Sequence, residues 1–153
     1  MLTTSPVGLL TIALALLAAV AAGTIAHELA HAAVLRAAGV ACEIRWLPAA
    51  GSGDSDRRGP WATVNPRVDA ASPSPVVLRI AALAPLVLAL PLAMALPGLG
   101  PNPFANGSLA MQAAAIGWLG CALPSPQDFS VVWYADRALA RATASGGDSV
   151  DSA

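Results

Sequence analysis

The chain opens on an apolar stretch with no polar face. From Val7 to Ala26 it runs 20 residues without a charge. A helix of about 20 apolar residues matches the hydrocarbon core of a bilayer. The stretch does not stop there. Alanine and leucine carry it through His27-Glu28-Leu29-Ala30-His31 to Ala38, where Gly39 offers a C-terminal cap. No proline interrupts it after Pro6, so one long helix over about 6–38 is expected. No basic residue precedes Arg36. The apolar run also exceeds the core of about 7–15 residues found in signal peptides. The helix is therefore expected to be retained as a membrane span.

After Gly39 the pattern changes. Val40 to Leu47 partly alternates between apolar and polar, which predicts a strand. Pro48 to Pro60 is rich in Gly, Ser, Asp and Arg and reads as a polar loop. Trp61 to Val64 predicts a returning strand, and Asn65 to Pro75 a second loop. Together they predict a small β-hairpin between helices. Val76 to Leu96 is a second apolar span, kinked by Pro85 and Pro91, with Arg79 placed to snorkel to the interface. Pro97 to Gly107 reads as an uncharged turn. A third, short span follows over 108–124 and is ended by Pro124-Ser125-Pro126. Phe129 to Ala142 predicts a further helix whose Trp133, Tyr134 and arginines suit an interface. The fold expected is an all-α membrane protein of about three transmembrane helices with a small cytoplasmic β-hairpin. Residues 1–143 form the core, with spans near 6–38, 76–96 and 108–124. Residues 144–153 are expected to be a disordered polar tail.

Composition sharpens this reading. The chain has 153 residues, 56% of them hydrophobic and only 11% charged, against roughly 25% charged in ordinary soluble domains. Too little charge is present to cover a water-facing surface, so the lipid bilayer is the expected partner. The net charge is −1, and no basic field or basic-aromatic cluster points to nucleic acid. Cys42 and Cys121 lie far apart in no CxxC pattern and read as buried free thiols. Six of the eight arginines fall between Arg36 and Arg79, and Arg137 and Arg141 follow the third span. With three spans both groups lie on one side. The positive-inside rule makes that side cytoplasmic. This predicts a multi-pass protein of the cell membrane with its N-terminus outside and its C-terminus in the cytoplasm.

The chemistry is carried by His27-Glu28-Leu29-Ala30-His31, an HExxH motif. On a helix, residues i and i+4 share a face, so both imidazoles reach one metal ion. Glu28, one position on, is placed to act as general base. These are the only histidines in the chain, and they sit in an apolar helix where ionisable groups are costly and functional by default. The bland alternative is a buried His/Glu hydrogen-bond cluster between helices. A third ligand must come from Glu43, Asp54, Asp56, Asp69, Asp128, Asp136, Asp148 or Asp151. Asp128, at the cytoplasmic end of the third span, matches the depth of the histidines. Ser125-Pro126-Gln127-Asp128 also reads as a helix N-cap with an acid at its third position.

With these residues in place, the chain resembles the site-2 protease family of intramembrane zinc metalloproteases. The layout of an apolar helix bearing HELAH, ending Arg36-Ala37-Ala38-Gly39-Val40 and followed by a strand, is similar to the family's first core helix. Ala82-Leu83-Ala84-Pro85-Leu86 resembles its Ala-Gly-Pro segment. Leu123-Pro124-Ser125-Pro126-Gln127-Asp128 resembles its proline-rich stretch ending in Leu-Asp-Gly. The chain differs in having Cys121 near the family's Asn, a spacing to Asp128 one residue shorter, and Phe129 after the Asp. The resemblance implies Zn2+ held by His27, His31 and Asp128, and Glu28 as the catalytic base and acid. It implies a zinc-dependent intramembrane or juxtamembrane endopeptidase acting on membrane-protein or peptide substrates, held as a strand added to the hairpin. Asn65 is a candidate substrate-binding clamp, or a turn residue before Pro66. The rival expectation is a non-proteolytic zinc-binding membrane protein, a regulator or pseudo-protease.

Overall fold

The computed structural model describes residues 5–46, 62–66, 73–95 and 102–147. The expected loop over 48–60, most of the loop over 65–75, the first residues of the turn at 97–107 and the tail beyond Gly147 lie outside them.

Helix α1 is continuous from Pro6 to Ala37. Ser5 starts it, accepting the Gly8 N–H through its side chain at 3.2 Å, and Pro6 takes the first helical position, where a missing N–H costs nothing. At about 1.5 Å per residue its 32 residues span about 48 Å, well beyond a hydrocarbon core of about 30 Å. It ends in a Schellman motif. The N–H of Val40 bonds to the carbonyl of Leu35 at 2.9 Å, and that of Gly39 to Arg36 at 3.0 Å. Gly39 sits at φ +75°, a conformation a residue without Cβ adopts freely. Leu35 and Val40 then close over each other in one apolar cluster with Ala81.

Strands β1 (Cys42–Trp46) and β2 (Ala62–Pro66) pair antiparallel, with Glu43 opposite Asn65 and Ile44 opposite Val64. Asn65, read from the sequence as the first residue of a loop, therefore lies within a strand. The strand expected from the alternation ended two residues too early, because Pro66 signalled a loop. At the end of a two-stranded sheet, proline is tolerated.

The second apolar stretch, Pro75–Ala95, is not one regular helix. It comprises α2 (Pro75–Leu83), a 3₁₀ segment (Ala84–Ala89) and α3 (Leu90–Ala95). Ser74 caps α2 by accepting the Val77 N–H. The change of helix type falls at Pro85, whose ring crowds the carbonyl four residues back and whose nitrogen cannot donate. Helix α4 is a single turn, Pro103–Asn106, capped by Asn102. Helix α5, Leu109–Ala122, has 14 residues, about 21 Å at the usual rise. Helix α6, Pro126–Gly147, carries a non-helical residue at Tyr134 (φ −121°, ψ 21°). It runs on through residues 144–147, which the sequence assigned to the polar tail. Among the described residues, two stretches are long and apolar enough to cross a membrane: Pro6–Ala37 and Pro75–Ala95.

Contacts group the chain into two units, with α1 running unbroken through the division at His27. In the unit formed by Met1–His27 and Pro85–Leu123, α1 and α5 approach closely at Gly23. A Cβ built there would lie 2.8 Å from the Cys121 Cβ and 2.9 Å from its Sγ. Trp118 of α5 donates its indole N–H to the Leu88 carbonyl at 2.8 Å. In the unit formed by Glu28–Ala84 and Pro124–Ala153, α2 packs on α6. Arg79 holds that contact. It donates to the Val132 carbonyl at 3.1 Å and pairs with Asp136 at 2.6 Å. The sequence placed Arg79 at an interface by snorkelling; the structure gives it a carboxylate partner.

Candidate metal centre

His27 and His31 stand one turn apart in the regular part of α1. Each imidazole is fixed by a short hydrogen bond from Nδ1 to a main-chain carbonyl. His27 Nδ1 lies 2.7 Å from Cys121 O, and His31 Nδ1 lies 2.7 Å from Ala81 O. A carbonyl oxygen can only accept, so in both rings Nδ1 carries the proton. When such a ring is neutral, its lone pair lies on Nε2. This is the arrangement by which metal-binding histidines are usually held, with the remote N–H oriented by a carbonyl or carboxylate.

Both carbonyls are available for a local reason. In an unbroken helix the Ala81 carbonyl would accept from residue 85, four positions on. Residue 85 is proline and has no N–H. Ala81 O instead takes the Ala84 N–H in the tighter 3₁₀ manner and keeps a lone pair for His31. The Cys121 carbonyl lies in the last turn of α5, where helical partners run out. Leu123 turns extended (φ −75°, ψ 137°), and the Ser125 N–H, which a continuing helix would send back to residue 121, goes to Asp128 Oδ2 at 2.6 Å.

Asp128 does two things at once. With Ser125 it forms a capping box at the start of α6: Asp128 N–H donates to Ser125 Oγ at 3.2 Å while Asp128 Oδ2 accepts from Ser125 N–H. Its other oxygen, Oδ1, lies 3.3 Å from His31 Nε2. The N-cap and ligand readings of the sequence are thus compatible, because the carboxylate has two oxygens. His31 is buried, 8% exposed, and the Asp128 side chain is 14% exposed.

His27, His31 and Asp128 each offer one ligand atom, and these atoms lie within 4.8 Å of one another. The donor set fits a cation. An imidazole nitrogen and a carboxylate oxygen 3.3 Å apart are held together by a shared proton or a shared metal ion. Two ligands about 2.0–2.1 Å from a tetrahedral zinc ion stand about 3.3–3.4 Å apart, which is the spacing seen for His31 and Asp128. Nitrogen and oxygen donors of this kind suit a divalent metal ion.

Glu28 lies next to His27 on α1, half-buried. Asn65 is placed in β2, opposite Glu43. Asp136, one of the alternative acids, is turned to Arg79. Glu43 lies in β1; Asp54, Asp56, Asp69, Asp148 and Asp151 lie outside the described residues. Cys42 and Cys121 are free thiols, both half-buried. Cys121 contributes its main chain to His27 while its Sγ lies 3.5 Å from the Val20 carbonyl. Sequence reasoning singled out the three side chains that meet here but missed the carbonyls of Ala81 and Cys121. The signal for the first was present: a proline four residues after Ala81 in an apolar helix leaves one carbonyl without its partner. No family model, curated protein or solved structure matches the chain.

Proposed function

We propose that the chain is a membrane-embedded zinc-dependent endopeptidase similar in kind to the site-2 proteases, with His27, His31 and Asp128 holding the metal. The observation that carries this reading is the meeting of His27, His31 and Asp128, one ligand atom of each within 4.8 Å of the others, with both Nδ1 atoms engaged by main-chain carbonyls. The surface of α1 supports a lipid setting. Val7, Leu9, Leu10, Leu14 and Leu17 are all more than half exposed, an apolar surface that soluble proteins rarely leave uncovered. In this reading α5 is a third, short span. The arginine-bearing segments face the cytoplasm and the N-terminus faces out.

A bound zinc ion supplies Lewis acidity, polarising the scissile carbonyl and making a water acidic enough to lose a proton near neutral pH. The rest of the work falls to the chain. His27 and His31 hold their rings rigid through Nδ1, and Asp128 adds negative charge that strengthens the donor set. Glu28 takes the proton of the attacking water as the C–O bond forms, then delivers it to the amine nitrogen as the C–N bond breaks. A substrate strand is held along the free edge of the β1–β2 pair, with Asn65 as a polar contact beside it.

The Glu28→Gln variant tests this. It should retain zinc and lose cleavage of a tagged single-span peptide in detergent micelles by at least about 10²-fold, the lower range for a lost general base. Cleavage at the wild-type rate would overturn the assignment of Glu28. A wild-type protein that takes up zinc yet cleaves no membrane peptide would favour the non-proteolytic zinc-binding alternative.

A further inference from the structure

We propose that Pro85 is a positioning residue of the metal centre: by withholding a further N–H it leaves the Ala81 carbonyl, which already accepts from Ala84, a lone pair for His31, and so sets which nitrogen of that ring faces the metal. The inference deepens the metal-binding reading above and rests on it. Pro85 is among the fully buried side chains, at the point where α2 gives way to the 3₁₀ segment. Its ring crowds the carbonyl four residues back, and it removes the i+4 donor, leaving that carbonyl only the Ala84 N–H from the main chain. That carbonyl is Ala81 O, which accepts His31 Nδ1–H at 2.7 Å. Ala81 is itself buried, so water does not compete for its oxygen.

The consequence concerns the whole ring. An imidazole whose Nδ1–H is held at 2.7 Å cannot rotate away, and its Nε2 stays directed at Asp128 Oδ1, 3.3 Å off. An alanine at 85 restores an N–H aimed at Ala81 O and straightens the 3₁₀ segment toward α-helix. That N–H competes with His31 for a carbonyl that already accepts from Ala84. The bare-Nδ1 form becomes accessible, and the ring presents the wrong nitrogen for a fraction of the time. Partners of this kind are worth about 10–100-fold in metal affinity when removed. Pro91, in α3 of the same apolar stretch, provides the control, since the carbonyl it would have served belongs to Val87 and holds no ligand in the centre.

The test uses the full chain in detergent and zinc alone as probe, with affinity read by competition against a chromophoric chelator. Pro85→Ala should weaken zinc binding about 10–100-fold, and Pro91→Ala should leave it unchanged. Replacing residue 85 by lactic acid keeps the alanine methyl but puts an ester oxygen where the N–H would be; affinity should return toward wild type. A Pro85→Ala variant with wild-type affinity overturns the proposal. So does an ester variant as weak as the alanine one, because the loss would then come from packing. A second measurement needs neither folding of the variant nor metal. In the metal-free wild-type protein, histidine-selective ¹⁵N NMR should find His31 Nδ1 protonated, whatever the state of Nε2; a bare Nδ1 overturns the proposal. A protein that takes up no zinc would fail the metal reading, while the Nδ1 measurement still decides the hydrogen-bond device.

Discussion

Helix α1 and the proline-broken stretches build the candidate metal centre by opposite means. From Pro6 to Ala37, α1 has no break, and that regularity is what brings His27 and His31 onto one face a turn apart. The Pro85 and Leu123–Pro126 regions are irregular, and their irregularity is what they contribute. One frees the Ala81 carbonyl for His31; the other frees the Cys121 carbonyl for His27 and starts α6 with Asp128 in its first turn. Regular helix sets ligand spacing, while broken helix supplies the polar groups that orient the ligands. Backbone groups freed by such breaks need partners, and here the partners are imidazoles.

The comparison can be broken most severely in α1 itself. Inserting one alanine between Leu29 and Ala30 turns His31 about 100° away from His27, since a helix has about 3.6 residues per turn. Zinc binding should fall below detection, while the helix persists by circular dichroism. Retained binding would mean that α1 does not set the spacing.

The next effect is at Asp128, where the two roles of one carboxylate separate. Asp128→Asn keeps an oxygen able to accept from the Ser125 N–H, so the cap should lose about 1 kcal/mol or less. A neutral amide is a poor zinc ligand, so metal affinity should fall by orders of magnitude. Asp136→Asn, beside Arg79 and away from the centre, should leave metal affinity at the wild-type value. Equal zinc affinities for the two variants would remove Asp128 from the site.

The smallest effect expected is at Gly23. A Cβ there meets the Cys121 Cβ at 2.8 Å, the attached carbon of a side chain that cannot swing aside. Gly23→Ala should cost about 1–3 kcal/mol, the range for overpacking, read by denaturant unfolding in detergent. Unchanged stability would mean that α1 and α5 have room to separate.

Much of this was legible in the sequence, for identifiable reasons. The length of α1 followed from an unbroken run of alanine and leucine, and its end from Gly39. The shared face of His27 and His31 followed from their i, i+4 spacing. Asp128 was legible because a capping signature and a proline break coincide there. What escaped were features set by pairing across long sequence distance. Nothing local marks Arg79 as the partner of Asp136, 57 residues away. Nothing in a side-chain motif reveals a ligand held by the main chain of Ala81 or Cys121. Asn65 was misplaced into a loop because proline next to it reads as a breaker, although strand ends accept it.

The central claim is that His27, His31 and Asp128 hold one metal ion. It is tested most directly by the metal content of protein purified without chelator under metal-replete conditions, joined to X-ray absorption at the zinc edge. The account predicts about one zinc per chain, with two imidazole nitrogens and carboxylate oxygen around it at about 2.0–2.2 Å. A protein free of transition metal, or a zinc shell containing thiolate sulfur at about 2.3 Å, would contradict it.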